Sequence, residues 1–420
     1  MSNQQENLKQ LAINGGPKVR EAPWPERGLI GVEEKAAVNE LFDRSIASGK
    51  AFGYGGPDEE AYCRAFAEFM GGGYADAVNS GSNAVFVALH ALDPEPFTEI
   101  IVGPITDPGG VMPIPMLNCV PVIADAAPGC FVPGPEQIEE LITPYTSAIV
   151  IAHIFGEPAD MEGIMRIARK HKIPVVEDCA QSHYAKLNGK LLGTFGDVAA
   201  FSTMFGKHHC AGGQGGIVWT ADEELYKKVR RASDRGKPFG LPAGSTNCQA
   251  SLNCNLNDLA AVIGTVQLKK LPGIVQRRRA VVQKIQEGLP KDSLAVMPPQ
   301  IKGAEPSYWF LRLRFAAENA TCDKKTFCAA LTAEGIRVRE RYVSPPSYSD
   351  WFKNKQVFGT SRLPWSSPSY KGDPNRDFPC PNAMAALEQH FDLPIWESWG
   401  PAEAADIVKA IAKVSAAYRK

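Results

Sequence analysis

The chain lacks the features that mark several classes of protein. Its 420 residues include 45 basic and 46 acidic side chains, so the formal net charge is −1. Such a balance gives no electrostatic footprint for nucleic acid or for an anionic membrane surface. No run of about 18 uncharged apolar residues is present, as a membrane-spanning helix would require. We therefore expect small-molecule partners, with no nucleic acid and no membrane.

Paired cysteines and a leader pattern are also missing. The ten cysteines stand singly with no C-x-x-C pair, which argues against a disulfide framework and a zinc ribbon. The first residues show no basic stretch followed by an apolar one, so we expect a cytoplasmic protein. No G-x-G-x-x-G follows an early strand with an acidic residue about 20 positions on, which disfavours a dinucleotide-binding oxidoreductase.

What the sequence does contain is an alternation of short apolar strands with helices. Helices are predicted over Val32–Ser48 and Glu59–Met70, and others open at Gly81 and near Asp160. This alternation is typical of an α/β fold, with a mostly parallel central sheet and helices on both faces. The predicted strands are Tyr74–Val78, Ile100–Pro104, Met116–Asp125, Ala148–Ile154, Ile173–Asp178, Val198–Phe201 and Ile217–Trp219.

Three regions are predicted from changes in this pattern. Residues 1–30 form an irregular N-terminal arm, 31–271 a large α/β domain, and 272–420 a smaller C-terminal α+β domain. A long helix over 257–271 precedes a basic helical stretch, QRRRAVVQKIQEGL, whose charges we expect to face solvent. The small domain is predicted to contain strands at YWFLRLRF and RVRERY, helices at Lys324–Glu334 and Ala402–Tyr418, and a long loop rich in proline, serine and tryptophan through about Pro381.

Lys207 is the first candidate for chemistry. It stands in FSTMFGKHHCAGGQGG, between apolar residues and a glycine-rich turn. A partly desolvated lysine has a lowered pKa, and its free amine can attack a carbonyl group. An ordinary solvated lysine is the alternative from this stretch alone.

Asp178 ends an apolar strand, and ligands of open α/β sheets bind outside the carboxyl ends of strands. A carboxylate there could pair with the protonated ring nitrogen of a cofactor. The alternative is a plain turn or cap residue.

A phosphate site is suggested by Gly81 and Ser82, which join a strand to a helix and could present backbone N–H groups to an anion. Ser82 could equally be an ordinary N-cap. Pyridoxal 5'-phosphate needs an amine, an anion at its ring nitrogen, a phosphate site and a group against its ring. The chain offers all four, in Lys207, Asp178, Gly81 and Ser82 with Ser202, and Gln181.

Several longer motifs together resemble one known family. They are GSNAVFVAL, PVIAD, VEDCAQSHYA, GTFGDVAAFS with Lys207 five residues on, GGQGG and NCNLNDLAAVIGTVQL. Over most of residues 10–415 the chain is similar to the DegT/DnrJ/EryC1/StrS family of sugar and cyclitol aminotransferases. The resemblance implies a pyridoxal-phosphate-dependent transferase of fold type I. It also implies a homodimer with shared active sites and glutamate or glutamine as amino donor.

The opening LAINGGPKVREAPWP is similar to the N-terminal arms of the branch that contains 3-amino-5-hydroxybenzoate synthase and the scyllo-inosose aminotransferases. The family also assigns roles by position. Gln181 corresponds to a glutamine beside the ring, although it could instead satisfy a buried backbone group. The remaining roles are Lys207 for covalent attachment, Asp178 for the pyridine nitrogen, Gly81, Ser82 and Ser202 for the phosphate, and Asn253 for the phosphate of the other subunit.

Three positions depart from the family pattern. Asp107, after Thr106, replaces an aromatic residue that would stack on the cofactor. Asn255 replaces an arginine, which removes a likely anion contact, and Gln214 stands where glutamate is common. A neighbouring run, His208-His209-Cys210, invites a metal interpretation, but adjacent side chains point apart, and no metal site is expected.

The expected activity is transfer of an amino group from glutamate or glutamine to a keto sugar or keto cyclitol. The missing arginine at Asn255 argues against an acceptor that carries a diphosphate. Two alternatives stay open: a dehydratase or aromatising enzyme that uses the same cofactor, and a non-catalytic cofactor-binding regulator, for which Asp107 is the reason. The long loop contains three aromatic residues that could line a substrate pocket or simply pack, namely Tyr342, Tyr348 and Trp351.

Overall fold

Buried apolar strands and amphipathic helices alternate along the chain in the computed structural model, which describes residues 3–420. The strands are β1 Tyr74–Val78, β2 Glu99–Val102, β3 Val120–Ile123, β4 Thr146–Ala152, β5 Val175–Asp178, β6 Lys186–Leu187, β7 Lys190–Leu191, β8 Val198–Ser202, β9 Gly216–Thr220, β10 Ala295–Val296, β11 Ala304–Glu305, β12 Phe310–Phe315 and β13 His390–Pro394. The helices are α1 Asn3–Gln10, α2 Val32–Ser48, α3 Pro57–Phe69, α4 Gly81–Leu92, α5 Pro108–Val111, α6 Pro113–Met116, α7 Pro135–Glu139, α8 Met161–His171, α9 Glu223–Ser233, α10 Asp258–Gly288, α11 Lys324–Ala333, α12 Asp350–Lys353, α13 Pro381–Gln389 and α14 Pro401–Tyr418.

The central sheet has seven strands in the order β1-β9-β8-β5-β4-β2-β3. Strands β2, β3, β4, β5 and β8 are parallel, whereas β9 runs antiparallel to both of its neighbours. The predicted α/β fold with a mostly parallel sheet is confirmed. Because β5 and β8 are adjacent and parallel, their carboxyl ends meet at one edge of the sheet, where parallel sheets bind ligands.

A second apolar core lies in the C-terminal part of the chain. The antiparallel sheet β10-β12-β13 packs there with α11, α14 and the end of α10. The arm joins this core through Leu11 and Trp24, both buried. The arm was predicted to be irregular, and this is wrong for its first part, because α1 is a regular helix that packs against α14.

Two other predicted elements differ from the structure. The predicted strand Met116–Asp125 begins too early, because prolines at the start of α5 and of α6 place two short helices before β3. RVRERY is not a strand: only Arg339 makes a bridge, to Asp392. The Arg339 guanidinium stacks on the rings of Phe310 and Tyr342. The alternation of side chains in RVRERY therefore reflects side-chain packing and not the hydrogen-bond ladder of a strand.

The predicted division at residues 271 and 272 falls inside α10, a helix of 31 residues that contains Pro272. Its first half packs into the large core and its second half into the C-terminal core. The assignment of domains 1–30, 31–271 and 272–420 therefore stays a prediction, with one continuous helix crossing its second boundary.

The arginine run on α10 was expected to face solvent, and for Arg278 this is wrong. Arg278 is 1% exposed, and its guanidinium donates to Glu397 at 2.9 Å and to the Tyr308 carbonyl at 3.1 Å. Glu397 also accepts from Arg27 of the arm, at 2.7 Å. Burial lowers the pKa of Arg278 to about 10, and the Glu397 carboxylate opposes that fall. These three charges join the arm, α10 and the segment before α14.

Two absences concern the part of the chain that the structure describes. Within residues 3–420, no helix combines the length and the apolar character needed to cross a bilayer. All ten cysteines are free thiols, of which six are buried: Cys119, Cys179, Cys210, Cys254, Cys328 and Cys380.

Removing the shared carboxylate should destabilise the protein strongly. Glu397→Ala leaves Arg278 buried without a counter-charge, so the free energy of unfolding should fall by about 3–5 kcal/mol in denaturant titrations at fixed protein concentration. Glu388→Ala is the control, since its 64% exposed carboxylate pairs only with Arg341 at the surface, and it should cost less than about 1 kcal/mol. Equal losses would contradict this account of the buried cluster.

Candidate active site

A cavity of about 220 Å³ lies at the carboxyl ends of β5 and β8. Five of the seven predicted site residues line it, while Gln181 and Asn253 do not. The structure therefore brings together residues that are spread over more than a hundred positions of the sequence. The five are Gly81, Ser82, Asp178, Ser202 and Lys207.

Lys207 is 7% exposed. Burial lowers its pKa to about 8, against the opposing effect of the carboxylates of Asp178 and Asp107. Near neutral pH the amine therefore has a far larger free-base fraction than an exposed lysine has, and attack on a carbonyl group requires the free base. Of the two interpretations of Lys207, the structure supports a desolvated side chain and not an ordinary solvated one.

Asp178 is the last residue of β5 and is 7% exposed. Its Oδ1 accepts the Ala180 N–H at 3.0 Å. Burial raises its pKa, while the Ala180 amide and the charge of Lys207 act in the opposite direction. The second carboxylate oxygen, Oδ2, lies beside Gly110, where an added Cβ would be only 2.8 Å away. Asp178 lines the cavity, and its pairing with a ring nitrogen stays a prediction.

The neighbouring Glu177 points to the opposite side of the strand, as successive residues in β structure do. Fully buried, it accepts the amide of Gly193 at 2.8 Å, that of Phe195 at 2.7 Å and that of Gly196 at 2.6 Å. His153 Nε2 completes the set at 3.1 Å. Although burial favours protonation, His153 and these amides hold the pKa of Glu177 below its usual value. Glu177 thus fixes the end of β5 that carries Asp178.

The ligand atoms of His153, Glu177 and Cys179 lie within 4.8 Å of one another, which raises the question of a metal. His153 Nδ1 accepts the Ala159 N–H at 3.2 Å, so Nε2 must carry the hydrogen that Glu177 accepts. The lone pair of Nδ1 is then taken up by the Ala159 N–H, and Nε2 carries a hydrogen, so neither nitrogen is free to bind an ion. This cluster is a structural hydrogen-bond network.

The side of the cavity that is predicted to hold a phosphate is built at the start of α4. Ser80 is the N-cap of this helix and accepts the Asn83 N–H at 3.1 Å. Ser82 is therefore not the cap, and the simpler alternative for it is wrong. An added Cβ on Gly109 would lie 2.3 Å from Ser82 Oγ, and one on Gly81 would lie 2.8 Å from Ser202 Oγ. The hydroxyls of Ser82 and Ser202 and the N-terminus of α4 thus lie around glycines that no larger residue could replace without a clash. We call this arrangement the glycine-lined cradle, and its N–H and O–H donors suit a phosphate group.

Gln181 and Asn253 do not line this cavity. The Gln181 side chain accepts the buried Phe155 N–H at 2.9 Å and donates to the Tyr342 hydroxyl at 3.0 Å. It thus does satisfy a buried backbone group, which was the alternative for this residue. Asn253 is exposed, and its Oδ1 accepts both N–H groups of Asn255, at 3.2 and 2.7 Å. The cofactor roles of Gln181 and Asn253 stay predictions.

Asp107 occupies the place of the expected aromatic residue. It lines the cavity, and its Oδ1 accepts the Gly109 N–H at 3.0 Å, so that it caps α5. Of the three loop aromatics, none lines the cavity: Tyr342 bonds Gln181, the Tyr348 hydroxyl donates to Pro379, and Trp351 contacts Phe352. Whether they line a substrate pocket stays a prediction.

The sequence did not reveal the two residues that contact Lys207 from outside the large sheet. Trp309 places its ring centroid 4.0 Å from Lys207 Nζ, and its indole N–H donates to the Gly206 carbonyl at 3.2 Å. Arg27 donates to the Lys207 carbonyl at 2.5 Å. Both are far away in sequence, and no local pattern marks either of them.

The two histidines after Lys207 point apart. His208 Nε2 bonds the Ser307 carbonyl at 3.1 Å, whereas His209 Nε2 lies 3.0 Å from both the Tyr62 hydroxyl and the Gly264 carbonyl. Burial lowers the pKa of His209 to about 4 and also lowers that of His208. The pair is therefore neutral and belongs to the packing around the lysine turn.

The chain is similar to known aminotransferases. The sequence model of the DegT/DnrJ/EryC1/StrS aminotransferase family matches residues 31–412. The L-glutamine:2-deoxy-scyllo-inosose aminotransferase of Micromonospora echinospora is 31% identical over 301 residues, which cover 69% of this chain and 70% of that enzyme. The dTDP-3-amino-3,6-dideoxy-alpha-D-galactopyranose transaminase of Aneurinibacillus thermoaerophilus is 29% identical, over 78% of this chain and 88% of that enzyme. The aminotransferase structure from Psychrobacter cryohalolentis superposes with a TM-score of 0.78 at 26% identity, over 93% of this chain and 97% of that one.

The glycine wall of the cavity can be tested directly. Gly81→Ala would place a methyl group 2.5 Å from Ser202 Cβ, and the resulting shift should weaken pyridoxal-phosphate binding by about five- to a hundredfold. Absorbance titration of cofactor-free protein measures this. Gly53→Ala, which meets nothing within 4 Å, should bind as the unaltered protein does. Unchanged affinity in Gly81→Ala would contradict the assignment of the phosphate site.

Proposed function

The chain belongs to the DegT/DnrJ/EryC1/StrS aminotransferase family, a family of pyridoxal-phosphate-dependent enzymes, and on that premise we propose how its own residues carry out transamination. The observation that supports the proposal most strongly is the cavity that a desolvated Lys207 shares with Asp178 and with the glycine-lined cradle of Ser82 and Ser202. When bound, pyridoxal phosphate supplies the electron sink and carries the amino group between donor and acceptor.

Each residue has a distinct part in this proposal. Lys207 would hold the cofactor through Nζ, and once the donor amine displaces it, Nζ would take the proton from the α-carbon of the donor and give it to the cofactor carbon on the other side of the nitrogen. Asp178 Oδ2 holds the proton of the ring nitrogen. The Ser82 and Ser202 hydroxyls, with the N-terminus of α4, hold the phosphate. We propose that the amide of Gln181, which is held by its two hydrogen bonds, lies beside the cofactor ring.

The acceptor we propose is a keto cyclitol or a keto sugar without a nucleotide, and the donor is glutamine or glutamate. The relative from Micromonospora supports this class. A diphosphate would need free cations, yet Arg27 is bound to Glu397 and Arg339 to Asp392. Position 255, where the family has an arginine, is asparagine. A nucleotide-linked keto sugar is the second candidate acceptor, because the relative from Aneurinibacillus is named as a transaminase of a dTDP-linked sugar.

We also propose a homodimer with shared sites. Asn253 is exposed, next to Leu252, whose side chain is 62% exposed, and Phe205 beside Lys207 is 66% exposed. Apolar side chains that lie open beside a site are typical of a surface covered by another chain.

The free thiols favour a reducing compartment, and we propose that the protein is cytoplasmic. The comparisons do not favour the dehydratase or the regulator.

The absorbance spectrum tests the function. With pyridoxal phosphate, the unaltered protein should show a visible band that Lys207→Ala lacks, and formation of the band should accelerate as pH rises through about 8, because Lys207 is then deprotonated. Glutamine or glutamate should remove the band, and a free keto cyclitol should restore it. A Lys207-independent band would contradict the role of the lysine, and restoration only by nucleotide-linked keto sugars would contradict the proposed acceptor.

Mixing two inactive variants tests the shared site. Lys207→Ala and Asn253→Asp homodimers should each transaminate poorly, the second because a carboxylate repels the phosphate. After joint refolding, each heterodimer should contain one intact site, so activity should recover to about a quarter of the normal value. Asn247→Asp is the matched control on the same loop and should be active alone. Absence of recovery, with heterodimers present, would contradict an Asn253 that serves the partner's site.

A further inference from the structure

Trp309 makes three hydrogen bonds, one of which joins its ring to the lysine turn. Its indole N–H donates to the Gly206 carbonyl at 3.2 Å, and its backbone N–H donates to the Phe155 carbonyl at 2.9 Å. The carbonyls of Tyr308 and Trp309 both accept from the buried Arg278, at 3.1 and 3.5 Å. The ring therefore has a set position, with its face toward Lys207 Nζ at 4.0 Å from the centroid.

We propose that the indole face of Trp309 is the resting place of the Lys207 amine in its protonated form while Nζ is not bound to the cofactor. This assigns Trp309 as a positioning residue for the reaction, and the assignment rests on the proposed role of Lys207. The residue is supplied by the C-terminal part of the chain, immediately before β12, and not by the sheet that carries the lysine.

The physical reason is the charge distribution of an indole ring. Its face is electron-rich and attracts an ammonium group within about 6 Å of the centroid, more strongly where water is excluded. Lys207 meets this condition, since it is 7% exposed. The ring also offers no atom that could take the proton. A cation held there stays protonated, close to the cavity, and free to return.

Other charged groups around Lys207 act together with the ring. Asp178 and Asp107 favour the ammonium, while burial opposes it and brings the pKa of Lys207 to about 8. Burial lowers the pKa of His183 to about 3 and also lowers that of His208, so both histidines are neutral. Arg27 is bound to the Lys207 carbonyl and to Glu397. Within residues 3–420, the Trp309 ring is the one aromatic ring that faces this amine.

A role in holding the amine explains why the C-terminal part of the chain contacts the lysine turn so closely. When a donor amine displaces Lys207, the freed Nζ must be kept near the reacting carbon and away from bulk water. A carboxylate partner would hold an ammonium group more tightly than an aromatic face does. The weaker contact allows the amine to leave the ring, transfer its proton and return.

Fluorinated tryptophans at position 309 test the proposal, because they keep the shape of the ring while withdrawing charge from its face. In full-length cofactor-free protein, the extent of Lys207 acylation by acetic anhydride is followed against pH by peptide mass spectrometry. The midpoint should lie near 8 in the unaltered protein. It should fall stepwise with each added fluorine, by about half to one pH unit in the tetrafluoro form.

Trp309→Leu should lower the midpoint in the same direction, and Trp309→Phe should lie between, since phenylalanine keeps a face but is the weaker partner. Trp219 provides a matched control: its indole N–H also donates to a glycine carbonyl, that of Gly72 at 2.9 Å, and its ring has no cation recorded over it among the described residues. Trp219→Leu and fluorinated Trp219 should leave the midpoint unchanged.

A midpoint that is unaltered by fluorination, or that rises, would overturn the proposal. The measurement needs no bound cofactor, so it separates two failures. If fluorination shifts the midpoint but Lys207→Ala still forms the visible band, the proposed function is wrong and the contact with the ammonium group stands. If the band depends on Lys207 but the midpoint does not move, the ring serves only to pack and the proposed function stands.

Discussion

Keeping a lysine amine out of water beside a carboxylate is the constraint on which the rest of this structure depends. Desolvation alone would drive the proton from Lys207 and raise the pKa of Asp178. Each group partly offsets the cost of the other, but only if both are held in place. The parallel pairing of β5 with β8 provides one support. The buried carboxylate of Glu177, with its three backbone amides and His153, provides the other by fixing the end of β5.

The lysine turn is also held from the opposite side. Arg27 of the arm and Trp309 of the C-terminal part each donate a hydrogen bond to a backbone carbonyl of this turn, and the charges of Arg27 and Arg278 converge on Glu397. Helix α10 contributes to both apolar cores, so a displacement of the C-terminal sheet would be felt at Lys207. The site is therefore assembled by the whole chain, although its chemical groups come mainly from the large sheet.

How far the sequence predicts this arrangement depends on the range of each interaction. The sheet and five cavity residues follow from local patterns, because a strand end and a glycine-containing turn occupy fixed places in an α/β fold. Contacts between distant segments have no such signature: Trp309 meets Gly206 across 103 positions, and Arg278 meets Glu397 across 119. For that reason the sequence predicts that the arginine run faces solvent. The site predicted from the sequence likewise does not include the indole ring of Trp309. The family resemblance supplied roles for Gln181 and Asn253 that the cavity itself does not reveal.

Reductive trapping tests the central claim most directly. The full-length protein is loaded with pyridoxal phosphate, treated with borohydride and digested, and the modified peptides are identified by mass spectrometry. The account predicts that the cofactor is attached to Lys207 alone, because this lysine combines a cavity position with a pKa lowered by burial to about 8. Attachment to another lysine, or scattered over several exposed ones, would contradict it.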